Sequence, residues 1–506
     1  MDSLFPIEIS SYLSRSIELL SAIFVFTVGL FILIAIILYI KDRSQKESTI
    51  LRNYPLIGRF RFIFEKIGEF FRQYFFAMDR EELPFNRSQR SWVYRAAKDI
   101  DSTVAFGSTN DLRQAGTIIF INCPFPKLDS EEANLGPMMI GPYCDKPYST
   151  SSVFNVSGMS YGAISKPAVL ALSYGAKKAG CWLNTGEGGL APYHLEGGCD
   201  LVFQIGTAKY GVRDKHGALS DAQLQKTASH HQVKMFEIKL SQGAKPGKGG
   251  ILPGIKVTDE IAAIRGITAG LNSISPNRHP DVSNIAELLD MVGHIRQVTG
   301  KPVGFKTVVS SWDWLEELCV LINERGEESA PDFITIDGGD GGTGAAPMSL
   351  MDNVGLTLNE ALPAVENILI NHQLRQRIRL IASGKRINPT EAAWAFCAGA
   401  DIVTSARGFM FALGCIQALQ CNKNTCPTGI TTHNKDLQRG LDPSNKAIRI
   451  ANYHKNLVKE ITTIAHSCGV AGPRRLKRNH ARIVSSNGLS IPMVDLQPYP
   501  IPSPAK

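Results

Sequence analysis

The sequence predicts an α/β protein: a closed (β/α)8 TIM barrel behind an N-terminal transmembrane helix, with a cysteine-bearing segment after the last strand. Three observations predict it. Eight short apolar runs lie between residues 153 and 405, most followed by a helical stretch. Glycine and polar residues close nearly every run. Residues 19–40 contain no charge.

The strands are expected at 153–158, 181–185, 201–206, 236–241, 302–308, 333–338, 378–383 and 401–405. Helices are expected at 165–179, 284–299, 311–325, 357–376 and 389–398. Pro389 opens the last of these, at a position where proline is tolerated. An open doubly wound sheet is the alternative. It would not require polar residues and glycine at the end of nearly every strand.

Those strand ends read Ser157-Gly158-Met159-Ser160, Asn184-Thr185-Gly186-Glu187, Gln204, Lys239, Lys306, Asp337-Gly338-Gly339, Ser383-Gly384-Lys385 and Ser405-Ala406-Arg407. In a (β/α)8 barrel the C-terminal strand ends build the active site, and phosphate commonly sits after strands seven and eight. There, glycine lets backbone N–H groups approach an anion, and a following helix N-terminus favours negative charge. Lys385 or Arg407 can add a charge-assisted bond, or stand as a rim charge in water. FMN, a phosphorylated sugar and a nucleotide all fit this pattern. The run Asp337 to Ala345 is the densest in glycine. Its spacing matches neither a dinucleotide fingerprint nor an EF-hand, and it reads as a backbone-lined loop against a flat ligand.

Cys415, Cys421 and Cys426 are separated by five and then four residues, and a proline follows the last. Thiolates so spaced can wrap one metal centre, and Cys-Pro is a familiar end to an iron–sulfur ligand run. Three ligands point to a 3Fe–4S cluster and so to a C-terminal iron–sulfur segment. The alternative is three unrelated cysteines on a helix and a turn.

With 44% apolar and 20% charged residues among 506, the chain has material for a sizeable core, which excludes a disordered chain. The ten cysteines form no small disulfide framework and fit a reducing compartment. The net charge of +8 concentrates beside the apolar stretch and in Arg474, Arg475, Lys477, Arg478, His480 and Arg482. No nucleic-acid recognition motif accompanies it. An anionic lipid surface or an acidic protein is the expected partner of that basic C-terminal tail, residues 471–506.

Residues 1–18 form an N-terminal segment. The 22 residues Leu19 to Ile40 just span a hydrocarbon core about 30 Å thick at about 1.5 Å per residue. Lys41, Arg43, Lys46 and Arg52 follow, whereas Arg15 alone precedes, beside Asp2, Glu8 and Glu18. The positive-inside bias predicts a single-pass membrane protein with its catalytic domain in the cytoplasm. A cleaved signal peptide is the alternative. Residues 41–150 form a juxtamembrane, irregular region. Its aromatics between Phe60 and Phe76 lie on the membrane surface or pack on the main domain. Prolines 124, 126, 137, 142 and 147 mark an irregular approach to the barrel, residues 151–470.

The segments SGMSYGAIS (157–165), NTGEGG (184–189), IGTAKYGV (205–212), IKLSQGAKPGKGG (238–250), SISPNRHPD (273–281) and DGGDGGTGAAP (337–347), with the cysteine run, resemble the FMN-binding synthase domain of glutamate synthases. The resemblance covers roughly residues 150–470, in the family's order. It implies FMN in the barrel and a 3Fe–4S cluster on Cys415, Cys421 and Cys426. Ser157, Gly158, Met159 and Ser160 are then expected to line the flavin ring, with Gln204 near its polar edge. Gly341, Gly342 and Thr343 approach the flavin, and Gly384, Ser405, Ala406 and Arg407 take its phosphate. Lys306, at the end of the fifth strand, is the implied catalytic cation for reduced flavin or a substrate carboxylate. A core lysine satisfied by a structural carboxylate is its alternative.

The implied activity is reductive amination of 2-oxoglutarate to L-glutamate, with ammonia and electrons supplied from outside. The implied partners are a separate electron donor such as ferredoxin and a separate amidotransferase subunit, since the family's N-terminal amidotransferase domain is replaced here by the apolar helix. Two departures bear on the substrate. Lys248 stands where the family has a glutamate, and SPNRHPD puts Arg278 beside His279. The alternatives are an N-substituted glutamate synthase subunit using an amine, and an electron-transfer component that keeps the flavin and cluster without turnover.

Overall fold

The computed structural model describes residues 7–131 and 136–500. Asp2 therefore lies outside the described residues, as do 501–506 of the expected tail. The chain divides into two compact units, Met1–Ser88 and Gln89–Lys506.

The first unit is led by one helix, Ile7–Ser44, longer at both ends than the uncharged run 19–40. Its apolar side chains stand exposed from Tyr12 to Ile40, and its length and composition suffice to cross a bilayer. A second long helix, Ile57–Phe71, ends in a π-helical turn at Arg72–Phe76. Phe60, Phe64, Phe70, Phe75 and Phe76 are exposed along it. The carboxylate of Asp42, itself buried, accepts from the Arg59 guanidinium and from the Leu56 N–H, which fixes the turn between the two helices.

The second unit is the barrel. Its strands are β1 Phe154–Val156, β2 Leu183–Asn184, β3 Leu201–Ile205, β4 Val233–Lys239, β5 Val303–Thr307, β6 Phe333–Asp337, β7 Arg379–Ser383 and β8 Ile402–Ser405. All eight pair in parallel in chain order, and β8 closes onto β1 through Val403 opposite Phe154. Each strand falls on a predicted run. The observed strands are mostly shorter at their C-termini, because glycine and polar residues there leave the ladder to form the mouth. Almost every strand residue is buried, as expected of strands covered on both faces.

The crossover helices start on local signals. Ser165, Asn284 and Asn388 each cap a helix by accepting a backbone N–H with the side chain. Gly180 and Gly300 end two of these helices in the left-handed region, which an L-residue enters only at a cost. Helices Asp221–Ser229, Asp259–Arg265, Arg407–Leu413 and Pro443–Ser467 were not among those expected. The last lies on helix Lys166–Ala179 so closely that a Cβ on Gly175 would fall 2.4 Å from Ile450.

The hairpin of strands Met138–Ile140 and Tyr148–Thr150 puts Ile140 and Tyr148 against Trp182, Phe333 and Ile402. Those residues lie at or just before strand beginnings, so the hairpin plugs the barrel end opposite the mouth. Arg474 and Arg478 are a correction to the expected basic patch, of which Arg475 and Lys477 remain exposed. Arg478 is fully buried, with Nη2 2.6 Å from Glu366 Oε2 and further bonds to the carbonyls of Pro363, Gln497 and Pro498. Arg474 donates to the carbonyls of Asp401 and Ser152. Strand Ala481–Val484 pairs with Ile118–Phe120 and Ser490–Pro492. A guanidinium carries five donors, so it satisfies backbone carbonyls that a run of loops leaves unpaired. Charge counted along the chain could not distinguish that use from a surface patch.

Candidate active site at the barrel mouth

The loop after β1 is fastened on both sides. Ser157 N–H donates to Ser405 O at 3.1 Å, and Met159 N–H donates to Asn184 O at 3.0 Å. Side-chain space between them is absent: a Cβ on Gly158 would fall 3.3 Å from Gly186 Cα and 3.4 Å from Gln204 Nε2. Two adjoining clefts open there, both lined by Gly158, Gln204, Gly342, Ala406 and Arg407.

The first cleft lies over β5 to β8 and adds Ser157, Lys306, Gly384, Lys385 and Ser405. Gly384 has φ +108°, and a Cβ there would meet Gly338 N at 3.0 Å, so only glycine suits this turn. The backbone N–H groups of Gly384, Lys385 and Ala406 have no hydrogen-bond acceptor among the described residues. These three N–H groups, beside the N-terminus of helix Arg407–Leu413, are thus available to an anion. Arg407 donates to the Thr343 carbonyl, which pins the glycine loop across the mouth. Lys385 Nζ is 3.7 Å from Asp340.

Lys306 is buried, with Nζ 3.1 Å from Asp337 Oδ2. Burial works against its ammonium, but Asp337 and Glu237 outweigh burial and raise its pKa, so it is a fixed cation. The carboxylate partner of the alternative reading is therefore present, yet Lys306 still lines the cleft. Gly341 lines neither cleft: it packs against Gly243, where a Cβ would fall 2.7 Å from the Gly341 Cα.

The second cleft encloses about 920 Å³ of empty space, including its open mouth. It adds Met159, Ser160, Glu187, Lys245, Arg265 and Cys421. Glu187 Oε1 accepts from Lys239 Nζ at 2.8 Å. Burial alone would raise the Glu187 carboxyl, but Lys239 and Lys245 hold it down at about 2. Burial, then the neighbouring Lys239, lowers Lys245 to about 8. Arg265 is buried, bonds the Tyr161 carbonyl and the Ser273 hydroxyl, and leaves Nε without a partner. Three basic groups, Lys239, Lys245 and Arg265, around the one carboxylate of Glu187 leave net positive charge, which suits an anion.

Lys245 and Arg265 carried no expected role, although Lys245 stands inside the segment 238–250. Nothing local marked Arg265, which arrives on helix Asp259–Arg265 in the long excursion between β4 and β5. Neither Lys248 nor Arg278 lines either cleft. Arg278 instead caps its own loop through the carbonyls of His279, Pro280 and Val282. The departures at 248 and 278 therefore stand outside the lining of both clefts.

Residues 415–426 are neither helix nor strand, and Gln417, Leu419 and Asn424 all have positive φ. Such residues cost on the order of 1–3 kcal/mol each and gather at ligand clamps. Burial raises the Cys415 thiol, and the neighbouring Cys421 and Cys426 add to that. The buried ammonium of Lys256 lies beside the same sulfurs and donates to Ala163 O at 2.6 Å and Cys421 O at 3.3 Å. The donors therefore suit an anionic iron–sulfur centre in kind. Their sulfurs are not gathered into a ready ligand set, and no group of three metal-ligating side chains forms among the described residues.

The fold and this mouth define a TIM-barrel oxidoreductase with two adjoining clefts, one holding unpaired backbone N–H groups and the other buried basic side chains. Residues 125–471 match the conserved region in glutamate synthase, and the chain belongs to the glutamate synthase family. It is 39% identical to the glutamate synthase large subunit-like protein YerD of Bacillus subtilis, over 91% of this chain and 95% of that one. It is 35% identical to the archaeal glutamate synthase [NADPH] of Methanocaldococcus jannaschii, over 65% of this chain; the match spans 61% of that protein. The flavin-binding domain of baker's yeast flavocytochrome b2 aligns with a TM-score of 0.45 at 14% identity, over 83% of this chain and 86% of that domain.

Proposed function

We propose that this protein is an FMN- and iron–sulfur-dependent oxidoreductase that converts 2-oxoglutarate to L-glutamate, using ammonia and electrons supplied by other proteins. The observation that carries this reading is the adjacency of the two clefts. A cradle of unpaired N–H groups and a cleft holding two buried cations share Gly158, Gln204 and Gly342 as a wall. Bound FMN would supply hydride transfer. Gly384, Lys385 and Ala406 would hold its phosphate, and Ser157 to Ser160 with Gly342 and Thr343 would enclose its ring.

Lys245 and Arg265 would take the two carboxylates of the oxo-acid. The Glu187–Lys239 pair, locked at 2.8 Å, leaves Lys245 and Arg265 as the cations for substrate. Lys306 would stabilise negative charge at the far wall, since a cation held by Asp337 needs no reorientation when charge develops. Cys415, Cys421 and Cys426 would hold a 3Fe–4S cluster; that Cys421 lines the second cleft supports electron entry from that side. A separate donor such as ferredoxin would deliver electrons; the archaeal relative's own name carries NADPH instead. A separate amidotransferase would deliver ammonia. Helix Ile7–Ser44 would anchor the protein as a single membrane pass with the barrel in the cytoplasm.

Anaerobic reoxidation tests the proposal. The reduced protein is offered 2-oxoglutarate with ammonium, then with simple amines. Reoxidation with ammonium and formation of glutamate is expected. Reoxidation only with an amine would assign an N-substituted product, and none with either would leave an electron carrier.

A further inference from the structure

Beneath the ring site, β4 carries a carboxylate whose one part so far is to help raise the pKa of Lys306. Glu237 is 3% exposed. Its Oε1 accepts from Gln204 Nε2 at 2.7 Å and from Asn184 Nδ2 at 2.8 Å, and its Oε2 accepts from Thr335 Oγ1 at 2.7 Å. It therefore links β2, β3 and β6 through the barrel interior. A carboxylate buried this deeply is costly unless several donors satisfy it, and here three do.

An ionised carboxylate offers acceptors only. Both amides must turn their NH2 groups toward it and their carbonyl oxygens away. Asn184 obeys: its Oδ1 accepts the Gly186 N–H at 2.9 Å, at the turn that presses on the loop after β1. Gln204 is left with Oε1 as its remaining group, on the wall shared by both clefts.

We propose that Glu237 is the positioning residue of the ring site, fixing Gln204 so that an acceptor faces the cofactor. An acceptor there suits a ring imide N–H and repels a ring carbonyl. The pyrimidine edge of an isoalloxazine carries one imide N–H between two carbonyls, so this orientation selects the register in which the ring lies. The inference rests on the FMN reading above.

The test is a double-mutant cycle on the full chain in detergent, read by FMN affinity from flavin fluorescence and by the midpoint potential. In Glu237→Gln the side chain keeps its shape and Oε1 but loses its charge. Its amide can also turn its donor toward Gln204. FMN affinity is expected to fall about fivefold, as charge-assisted bonds become neutral ones. In a Gln204→Met background the same substitution should leave affinity unchanged. The potential should rise in Glu237→Gln, because a buried negative charge near the ring opposes reduction. An equal loss of affinity in both backgrounds, or unchanged affinity and potential in the single variant, overturns the inference. Protein that takes up no FMN before any substitution overturns the FMN reading and this inference with it.

Discussion

The Lys306 ammonium stands 3.1 Å from the Asp337 carboxylate, across the neighbouring strands β5 and β6 at the barrel mouth. Asp337 Oδ2 also accepts the Gly243 N–H at 2.9 Å, so the carboxylate is held from a second side. The cation is thereby aimed rather than merely buried. Replacing Lys306 by Met should slow flavin reoxidation by substrate by about 100-fold or more, in the range seen when one preorganised charge is removed from a site. FMN content should stay near that of the unaltered protein. Stopped-flow absorbance of the pre-reduced protein checks both, and normal reoxidation would remove Lys306 from the mechanism.

Lys245 gives the reaction a pH signature. Burial, then Lys239, holds its pKa at about 8, below the usual lysine range. The ammonium that would bind a carboxylate is therefore present below pH 8 and lost above it. The kcat/KM for 2-oxoglutarate should be flat on the acid side of that pH and fall about tenfold per pH unit beyond it. In Lys245→Arg the charge persists, and the alkaline fall should move out of the measured range. A fall that remains in Lys245→Arg would belong to another group.

The cysteine segment makes a compositional prediction. Cys421→Ser should remove the cluster and leave most of the FMN, because none of the phosphate-cradle residues lies in residues 415–426. Iron and acid-labile sulfide assays against flavin absorbance read this out. Iron content equal to that of the unaltered protein would mean that Cys421 is not a ligand.

Deleting residues 1–43 should release the protein from the membrane fraction, since the exposed apolar helix ends there. Persistent membrane attachment on flotation would assign binding to the exposed aromatics of Ile57–Phe76 instead.

Gly175→Ala tests packing outside the barrel. The added methyl would fall 2.4 Å from Ile450 on helix Pro443–Ser467. Overpacking of this kind costs typically about 1–3 kcal/mol, which would appear as a lower denaturation midpoint with the active site unchanged. An unaltered midpoint would show that the two helices can part freely.

The eight strands were legible because a buried parallel strand needs a short apolar run and its mouth needs glycine and polar ends, both local properties. That Gly384 and Ser405 to Arg407 line one cleft at the mouth was legible for the same reason: they stand at or directly after two strand ends. Arg478 shows the limit. Its charge reads in sequence as surface, and only the fold shows Glu366 and three carbonyls waiting for it.

By itself, then, the sequence determined the barrel, the polar and glycine-rich mouth at its strand ends and the apolar N-terminal helix, since each depends on periodicity or on residues a few positions apart. Only the tertiary structure decided that Lys245 and Arg265 share one cleft, that Arg278 and Lys248 stay out of it, and that Glu237 reaches Gln204 from the next strand. Those relations join residues distant in the chain, and side chains meet across such separations only after closure of the sheet has fixed which strand faces which.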